Sequence, residues 1–233
     1  NMFREKTVGE IVADDIRTAN VFKKYGLDFC CGGGASVQSA CDDSGVDVSE
    51  VLADLEAITS QSDVVDNYKN MPLIDLVDHI YNTHHTYIYE NGPMTAEFIN
   101  KVAHVHGSRH PETVEIAKLY NELLHDLHQH MMKEEQILFP FVKQLVEHGN
   151  QGGAFVNGPI SVMEAEHDTA GDILKKMNEL SNGYEPPADA CNTYRAAYAN
   201  LKALEDDIHY HIHLENNILF PKSLELEKQL LDS

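Results

Sequence analysis

One eleven-residue pattern occurs twice in this chain and restricts its fold more than any other feature. The copies begin at His130 and His211, and both read H-x-x-x-E-x-x-I-L-F-P, so Glu134 and Glu215 occupy matching positions. Residues four apart lie one above the other on an α-helix, which lets each histidine share a centre with its glutamate. The repeat therefore predicts two matching helices, each with a His–Glu pair on one face.

A further histidine precedes each copy of the pattern at nearly the same distance. His85 and His167 are separated by one residue more than the two copies are, which indicates a duplicated pair of helices. Periodicity alone does not choose between His85 and its neighbour His84, because each lies on an apolar stripe. The duplicated unit favours His85 and gives six candidate metal ligands: His85, His130, Glu134, His167, His211 and Glu215.

The candidate ligands lie within apolar stripes that must face the core of a helix bundle. A buried carboxylate without a partner is strongly unfavourable or shifts its pKa, and two that face each other are worse. Bound cations remove this penalty. A mixture of imidazole and carboxylate ligands favours iron over calcium or magnesium, which prefer oxygen alone. A catalytic zinc ion and manganese are the alternatives that this reasoning leaves open.

Apolar periodicity predicts an all-α chain, and no segment alternates as a strand would. A small helical domain is expected over 1–62, with one or two helices in 7–25 and another at 47–60, followed by a linker at 63–72. Residues 73–233 are expected to form a four-helix bundle. Asn91-Gly92-Pro93 predicts a stop after the first helix. The bundle helices are predicted at 73–91, continued by a short helix at 94–105, and at 111–149, 158–182 and 188–221.

Charge and composition exclude two classes of partner. The chain has 38 acidic and 17 basic residues and a formal net charge of −21, so it repels nucleic acid phosphates and anionic membranes. No apolar run reaches the ~18 residues that a membrane span needs, and no apolar signal sequence opens the chain. Four cysteines among 233 residues do not suggest a disulfide framework, so we expect a reducing, cytoplasmic location.

Four further residues are candidates for supporting roles. Asp126 lies one turn before His130, and Glu166 directly precedes His167. Either acid can hydrogen-bond a ligand or transfer protons, although both also fit a solvated helix face. Cys30 and Cys31 are adjacent, and such pairs seldom form a relaxed disulfide with each other. They are candidates for iron transfer or redox chemistry, or else a merely reduced pair.

Several segments together resemble the repair-of-iron-centres family, di-iron proteins of the YtfE/ScdA type with a hemerythrin-like bundle. The resemblance covers almost the whole chain, including the small N-terminal domain with its cysteine pair. The segments that carry it are Asp28-Phe-Cys30-Cys31-Gly-Gly, His130-Met-Met-Lys-Glu134-Glu-Gln-Ile-Leu-Phe-Pro, Gly158-Pro-Ile-Ser-Val-Met-Glu-Ala-Glu166-His167-Asp, and His211 to Pro221.

The resemblance implies two non-haem iron ions held by four histidines and two bridging glutamates, with an oxo or hydroxo bridge. It also implies repair of iron–sulfur clusters damaged by nitric oxide or peroxide. The family's first ligand follows an Asp-His-Ile segment, which here is Asp78-His79-Ile80 and selects His85. Family members have an acid, usually Glu, at the place of Asp126, so the shorter side chain departs from the pattern there.

Three functions from different classes are compatible with such a centre. The first is repair of iron–sulfur client proteins by supplying iron. The second is a redox enzyme that reduces nitric oxide to nitrous oxide, which makes the assignment as an enzyme uncertain. The third is a sensor or carrier that binds oxygen or nitric oxide reversibly. A homodimer is compatible with the sequence, and nothing in it selects an oligomeric state.

Overall fold

The computed structural model describes residues 2–233, and they are overwhelmingly helical. Within this range no strand forms, and the extended backbone pairs at a single bridge between Thr7 and Ser36. None of the helices over residues 2–233 combines the length and apolar character that crossing a membrane requires. The all-α prediction is confirmed.

Two compact units form within the chain, and the first comprises residues 2–77, 143–155 and 209–233. Its N-terminal part contains four short helices, of which the first, second and fourth match the predicted positions. The helices are α1 (Val8–Asp14), α2 (Thr18–Lys24), α3 (Val37–Ser44) and α4 (Val48–Thr59). Helix α3 was not predicted, because Val37 and Cys41 are its only buried residues and make too short an apolar stripe.

Capping residues in the sequence set where α1 and α3 begin. The Thr7 hydroxyl accepts a hydrogen bond from the backbone N–H of Glu10, and the Glu10 carboxylate accepts one from the N–H of Thr7. This reciprocal pair is a capping box. Ser36 caps α3 by accepting from the N–H of Ser39. The caps compensate for the marginal stability of helices of only seven or eight residues.

The long helices of the chain are interrupted by π-helical turns rather than by loops. The second compact unit comprises residues 78–142 and 156–208 and contains most of their length. The helices are α5 (Leu73–His79), α6 (Thr86–His106), α7 (Glu112–Lys133), α8 (Phe139–His148), α9 (Asn157–Leu180), α10 (Asn192–Leu214) and α11 (Phe220–Leu231). The π-helical turns are Ile80–His85, Glu134–Leu138 and Glu215–Leu219.

The predicted stop at Asn91-Gly92-Pro93 is wrong, because α6 runs through Pro93 without a break. Gly92 has a packing role instead, since a Cβ atom there would lie 2.6 Å from Cδ1 of Leu124 on α7. The Tyr120 hydroxyl donates a hydrogen bond to the Gly92 carbonyl at 2.7 Å. Gly-Pro therefore marks a close helix contact here rather than a helix end.

The fourth predicted bundle helix also continues beyond its expected end at Pro221. Pro221 stands in the first turn of α11, a position at which proline is tolerated. The π-helical turn at Glu215–Leu219 directly precedes it. The same arrangement recurs at Pro140, which follows the turn at Glu134–Leu138. The I-L-F-P tail of the repeat therefore accompanies a π-helical turn and a restart of the α-helix, and does not end the helix.

Candidate metal centre

Each π-helical turn carries a candidate metal ligand. His85 is the last residue of the first turn, and Glu134 and Glu215 are the first residues of the second and third. Such turns are rare and occur mostly at functional sites, where the wider backbone redirects side chains. The repeated pattern thus specifies a local backbone feature together with the His–Glu pair.

All six candidate ligands are withdrawn from solvent. Glu134, Glu215 and His85 have 0% exposed surface, and the other three histidines have 3% or less. Buried carboxylates of this kind are found in proteins only where they are protonated, paired or bound to a cation. The burial confirms that the apolar stripes direct these polar groups into the protein interior.

The structure brings the six residues together as two overlapping groups. Within each group the donor atoms lie within 4.8 Å of one another. Glu134 and Glu215 belong to both groups. The first group is His85, Glu134, His211 and Glu215, and the second is His130, Glu134, His167 and Glu215.

Distances between neighbouring donor atoms fit coordination to shared cations. Nε2 of His85 and Nε2 of His130 each lie 3.2 Å from Oε1 of Glu134. Nε2 of His211 lies 3.2 Å from Oε1 of Glu215, and Nε2 of His167 lies 3.1 Å from Nε2 of His130. Ligand atoms about 2 Å from one metal ion are separated by about 3 Å. These separations suit donor atoms that share a metal ion of the iron type.

Carboxylates outside the groups orient two of the histidines. Nδ1 of His85 lies 2.9 Å from Oε2 of Glu135, which also accepts a hydrogen bond from the Tyr89 hydroxyl. Nδ1 of His130 lies 2.9 Å from Oε1 of Glu166. With the proton on Nδ1, Nε2 keeps its lone pair for a metal ion, and the ring is held in place. Glu166 was a predicted support residue, and Glu135 was missed because its position shows no helical relation to His85.

Glu166 lies at a cavity of about 240 Å³ that reaches the two histidines of the second group. Its carboxylate also pairs with the Lys133 ammonium group. Partial burial alone would raise its pKa, but hydrogen bonds from Lys133 and His130 hold the pKa of Glu166 below its usual value. Asp126 lines the same cavity and is exposed. Acidic and basic side chains therefore line this cavity beside His130.

His84, the alternative to His85, lies outside both groups. Its Nδ1 atom is 2.9 Å from Oδ1 of Asp207, and its ring contacts that of His79 edge-on at a centroid distance of 5.7 Å. Adjacent side chains on a helical turn point in different directions, and here His85 faces the donor groups while His84 faces Asp207. The geometry agrees with the choice of His85 that the duplicated unit and the family resemblance favoured.

Cys30 and Cys31 lie in neither group, and neither forms a disulfide. Cys30 is 5% exposed, while Cys31 is partly exposed. Oδ1 of Asp28 accepts hydrogen bonds from the backbone N–H groups of both residues at 3.0 Å and from the Cys30 thiol at 3.3 Å. A hydrogen bond with Cys31, burial and the nearby Asp28 carboxylate raise the pKa of the Cys30 thiol well above its usual value. Cys30 is therefore a protonated thiol in this conformation.

Two family models match the chain. The ScdA_N domain, described as a domain of unknown function, matches residues 4–59. The hemerythrin HHE cation binding domain matches residues 76–223, a range that contains every candidate ligand. The recognition of a hemerythrin-like bundle with an ScdA-type N-terminal domain is confirmed.

Similar proteins match almost from end to end. An iron–sulfur cluster repair protein YtfE of Enterobacter sp. strain 638 is 38% identical over 222 residues, or 95% of this chain and 98% of the relative. Proteins of the same name from Citrobacter koseri and Escherichia coli O81 are each 37% identical with the same coverage. The resemblance therefore extends over both matched domains.

Proposed function

Since the chain belongs to the family of the YtfE iron–sulfur cluster repair proteins, with a hemerythrin HHE cation binding domain, we propose that it repairs iron–sulfur clusters. The clusters are those damaged by nitrosative or oxidative stress, and the protein acts by supplying iron to client proteins. The observation that carries this proposal is the pair of overlapping ligand groups that share Glu134 and Glu215.

The shared carboxylates support a centre of two iron ions. Each group offers two histidines of its own, and both groups draw on the same two glutamates. A carboxylate has two oxygens, so each glutamate can bridge a pair of ions, as the bundle cores of di-iron carboxylate proteins do. When bound, the iron pair supplies redox-active and exchangeable metal. The buried carboxylates neutralise much of its charge.

Ligation by nitrogen and oxygen alone suits a protein that gives its metal away. Thiolates hold iron tightly in clusters, and no cysteine belongs to either ligand group within residues 2–233. The cavity beside His130 carries Asp126, Glu166 and Lys133. An acid-lined opening of this kind attracts a leaving cation, while Lys133 neutralises one of its carboxylates. The exposed position of Asp126 suits this role.

The test is transfer of iron to a damaged cluster protein. Iron-loaded protein is mixed with a client enzyme whose [4Fe–4S] cluster has been destroyed, and the recovery of client activity is followed. Recovery faster than with an equal amount of free ferrous iron supports the proposal. The metal-free protein, added with the same free iron, is the control. Recovery no faster than with free iron alone contradicts it.

The same samples distinguish the competing functions. Reduced, iron-loaded protein exposed to nitric oxide is analysed for nitrous oxide in the gas phase. One nitrous oxide formed per reduced iron pair, from two nitric oxide molecules, two protons and the two electrons of the pair, without any repair of the client, identifies a nitric oxide reductase. A stable, reversible oxygen adduct without either activity identifies a carrier or sensor.

A further inference from the structure

The two residues that follow Glu215 bind the loop that carries the cysteine pair. Nδ2 of Asn217 donates a hydrogen bond to the Phe29 carbonyl at 2.8 Å. Nδ2 of Asn216 lies 3.4 Å from the Cys30 carbonyl. Both asparagines belong to the π-helical turn that Glu215 begins. One short turn of backbone thus carries a candidate metal ligand and two side chains that hold the cysteine loop.

Asn217 is packed against backbone that leaves no room for a side chain. A Cβ atom on Gly9 would lie 2.6 Å from Oδ1 of Asn217, and one on Gly33 would lie 2.8 Å from the same atom. The two glycines are themselves joined, because the N–H of Gly9 donates to the Gly33 carbonyl at 2.8 Å. His213 fixes the amide from its own helix, with Nδ1 at 2.7 Å from Nδ2 of Asn217. These contacts therefore fix the position of the Asn217 side chain.

Cys30 is buried while the cysteine loop is bound by the two asparagines. The thiol is 5% exposed, and its carbonyl and that of Phe29 are the two atoms that the asparagines bind. Because Cys30 is buried while its loop is bound to the turn, we expect its sulfur to react with an alkylating reagent mainly when the loop lifts. The rate of Cys30 modification therefore reports how often the hydrogen bonds from Asn216 and Asn217 to the cysteine loop break.

We propose that Asn217 is a positioning residue that couples metal occupancy at Glu215 to the exposure of Cys30. The proposal rests on the metal centre of the proposed function. A bound cation stabilises the buried Glu215 carboxylate and so favours the π-helical turn that places it. Without the cation the turn relaxes towards an α-helix, and the following residues rotate by about 100°. Asn217 then loses its contacts with the cysteine loop, and the loop is released as iron leaves.

Linkage makes the coupling reciprocal. If metal binding favours the loop bound to Asn217, then the bound loop favours metal binding to the same extent. For coupled sites this factor in affinity is on the order of 5–150-fold. Loss of the Asn217 hydrogen bonds should therefore weaken the binding of iron as well as expose Cys30 to modification. If Asn217 had only a structural role, its loss would destabilise the fold without linking iron binding to Cys30 modification.

The experiment compares Cys30 alkylation in the full chain with and without iron. Iodoacetamide labelling at Cys30 is followed by peptide mass spectrometry for the native chain and for Asn217→Ala. In the native chain we expect labelling on the order of tenfold slower when iron is bound. In Asn217→Ala we expect fast labelling in both states and weaker iron binding at equilibrium in a chelator competition. Circular dichroism verifies that each variant is folded.

A matched control lies in the other copy of the repeat. Gln136 occupies the position equivalent to Asn217, two residues after Glu134 in its π-helical turn, and it is exposed. Gln136→Ala should therefore keep the iron-dependent protection of Cys30. If Asn217→Ala fails to fold, Asn217→Asp preserves the shape, removes the donor group and serves the same test.

Three results overturn the coupling. Equal labelling of native protein with and without iron shows that the loop does not respond to the metal. Persistent iron-dependent protection in a folded Asn217 variant shows that the asparagine does not transmit it. Failure of the native chain to retain iron, measured as metal content, removes the coupling and the proposed function together. The first two results leave iron donation to a client intact, so the two hypotheses are separated.

Discussion

Nδ1 of His84 lies 2.9 Å from Oδ1 of Asp207, while the next residue along the chain, His85, belongs to a candidate ligand group. Adjacent histidines thus have different partners: one is paired with a carboxylate, and the other is placed for metal binding. The division follows from helical geometry, because neighbouring side chains on a helical turn point in different directions.

Substitution of the two histidines should therefore have different consequences for metal binding. His85→Ala removes a donor atom from the first group, and we expect it to lower the iron content of the purified protein. His84→Ala leaves the donor set complete and should retain native iron content. It leaves the largely buried Asp207 unpaired, which lowers the free energy of unfolding by about 1–3 kcal/mol. Metal analysis and urea unfolding of both variants measure the two effects.

The two shared glutamates should affect iron binding more than an unshared histidine does. Glu215→Gln keeps the size of the side chain but loses the charge that both groups use. We expect it to abolish binding of both ions, while His167→Ala impairs only the second group. Iron per chain, measured after gel filtration, distinguishes the two variants. Equal loss of iron in both would contradict a shared role for Glu215.

Glu166 should tune metal affinity through His130 without being a ligand. Its Oε1 atom lies 2.9 Å from Nδ1 of His130, which orients the ring. Loss of such a supporting carboxylate typically reduces metal affinity by about 10–100-fold. We expect Glu166→Gln to reduce the affinity by this factor in a chelator competition. Glu164→Gln, on the exposed side of the same helix, is the control and should bind iron as the native chain does.

The sequence predicted the interior of the site better than its surroundings. The spacing of His130 and Glu134 is a property of one helix, so the repeat alone places both on one face. The orientation of His130 by Glu166 depends on the packing of α7 against α9, which spacing along the chain does not specify. Glu166 could be proposed only as a neighbour of His167, and its contact with Lys133 was not foreseen.

Proline and glycine were the main source of error in the predicted fold. The sequence predicts helix ends at Pro93 and Pro221, since proline lacks a backbone N–H and usually terminates a helix. Both lie within continuing helices, where close packing at Gly92 and a preceding π-helical turn accommodate them. Helical periodicity assumes a uniform 3.6 residues per turn, so the extra residue of a π-helical turn is invisible to it.

The three consecutive glycines after Cys31 differ sharply in the space that is available for a Cβ atom. A Cβ atom on Gly33 would lie 2.8 Å from both the Phe29 carbonyl oxygen and Oδ1 of Asn217, whereas one on Gly34 meets nothing within 4 Å. Gly33→Ala must shift the backbone of the cysteine loop, and we expect it to lower the free energy of unfolding by about 1–3 kcal/mol. Gly34→Ala should change it by less than about 0.5 kcal/mol, as open surface positions do. Equal urea midpoints for the two variants would show that the loop yields freely and that Asn217 does not hold it rigidly.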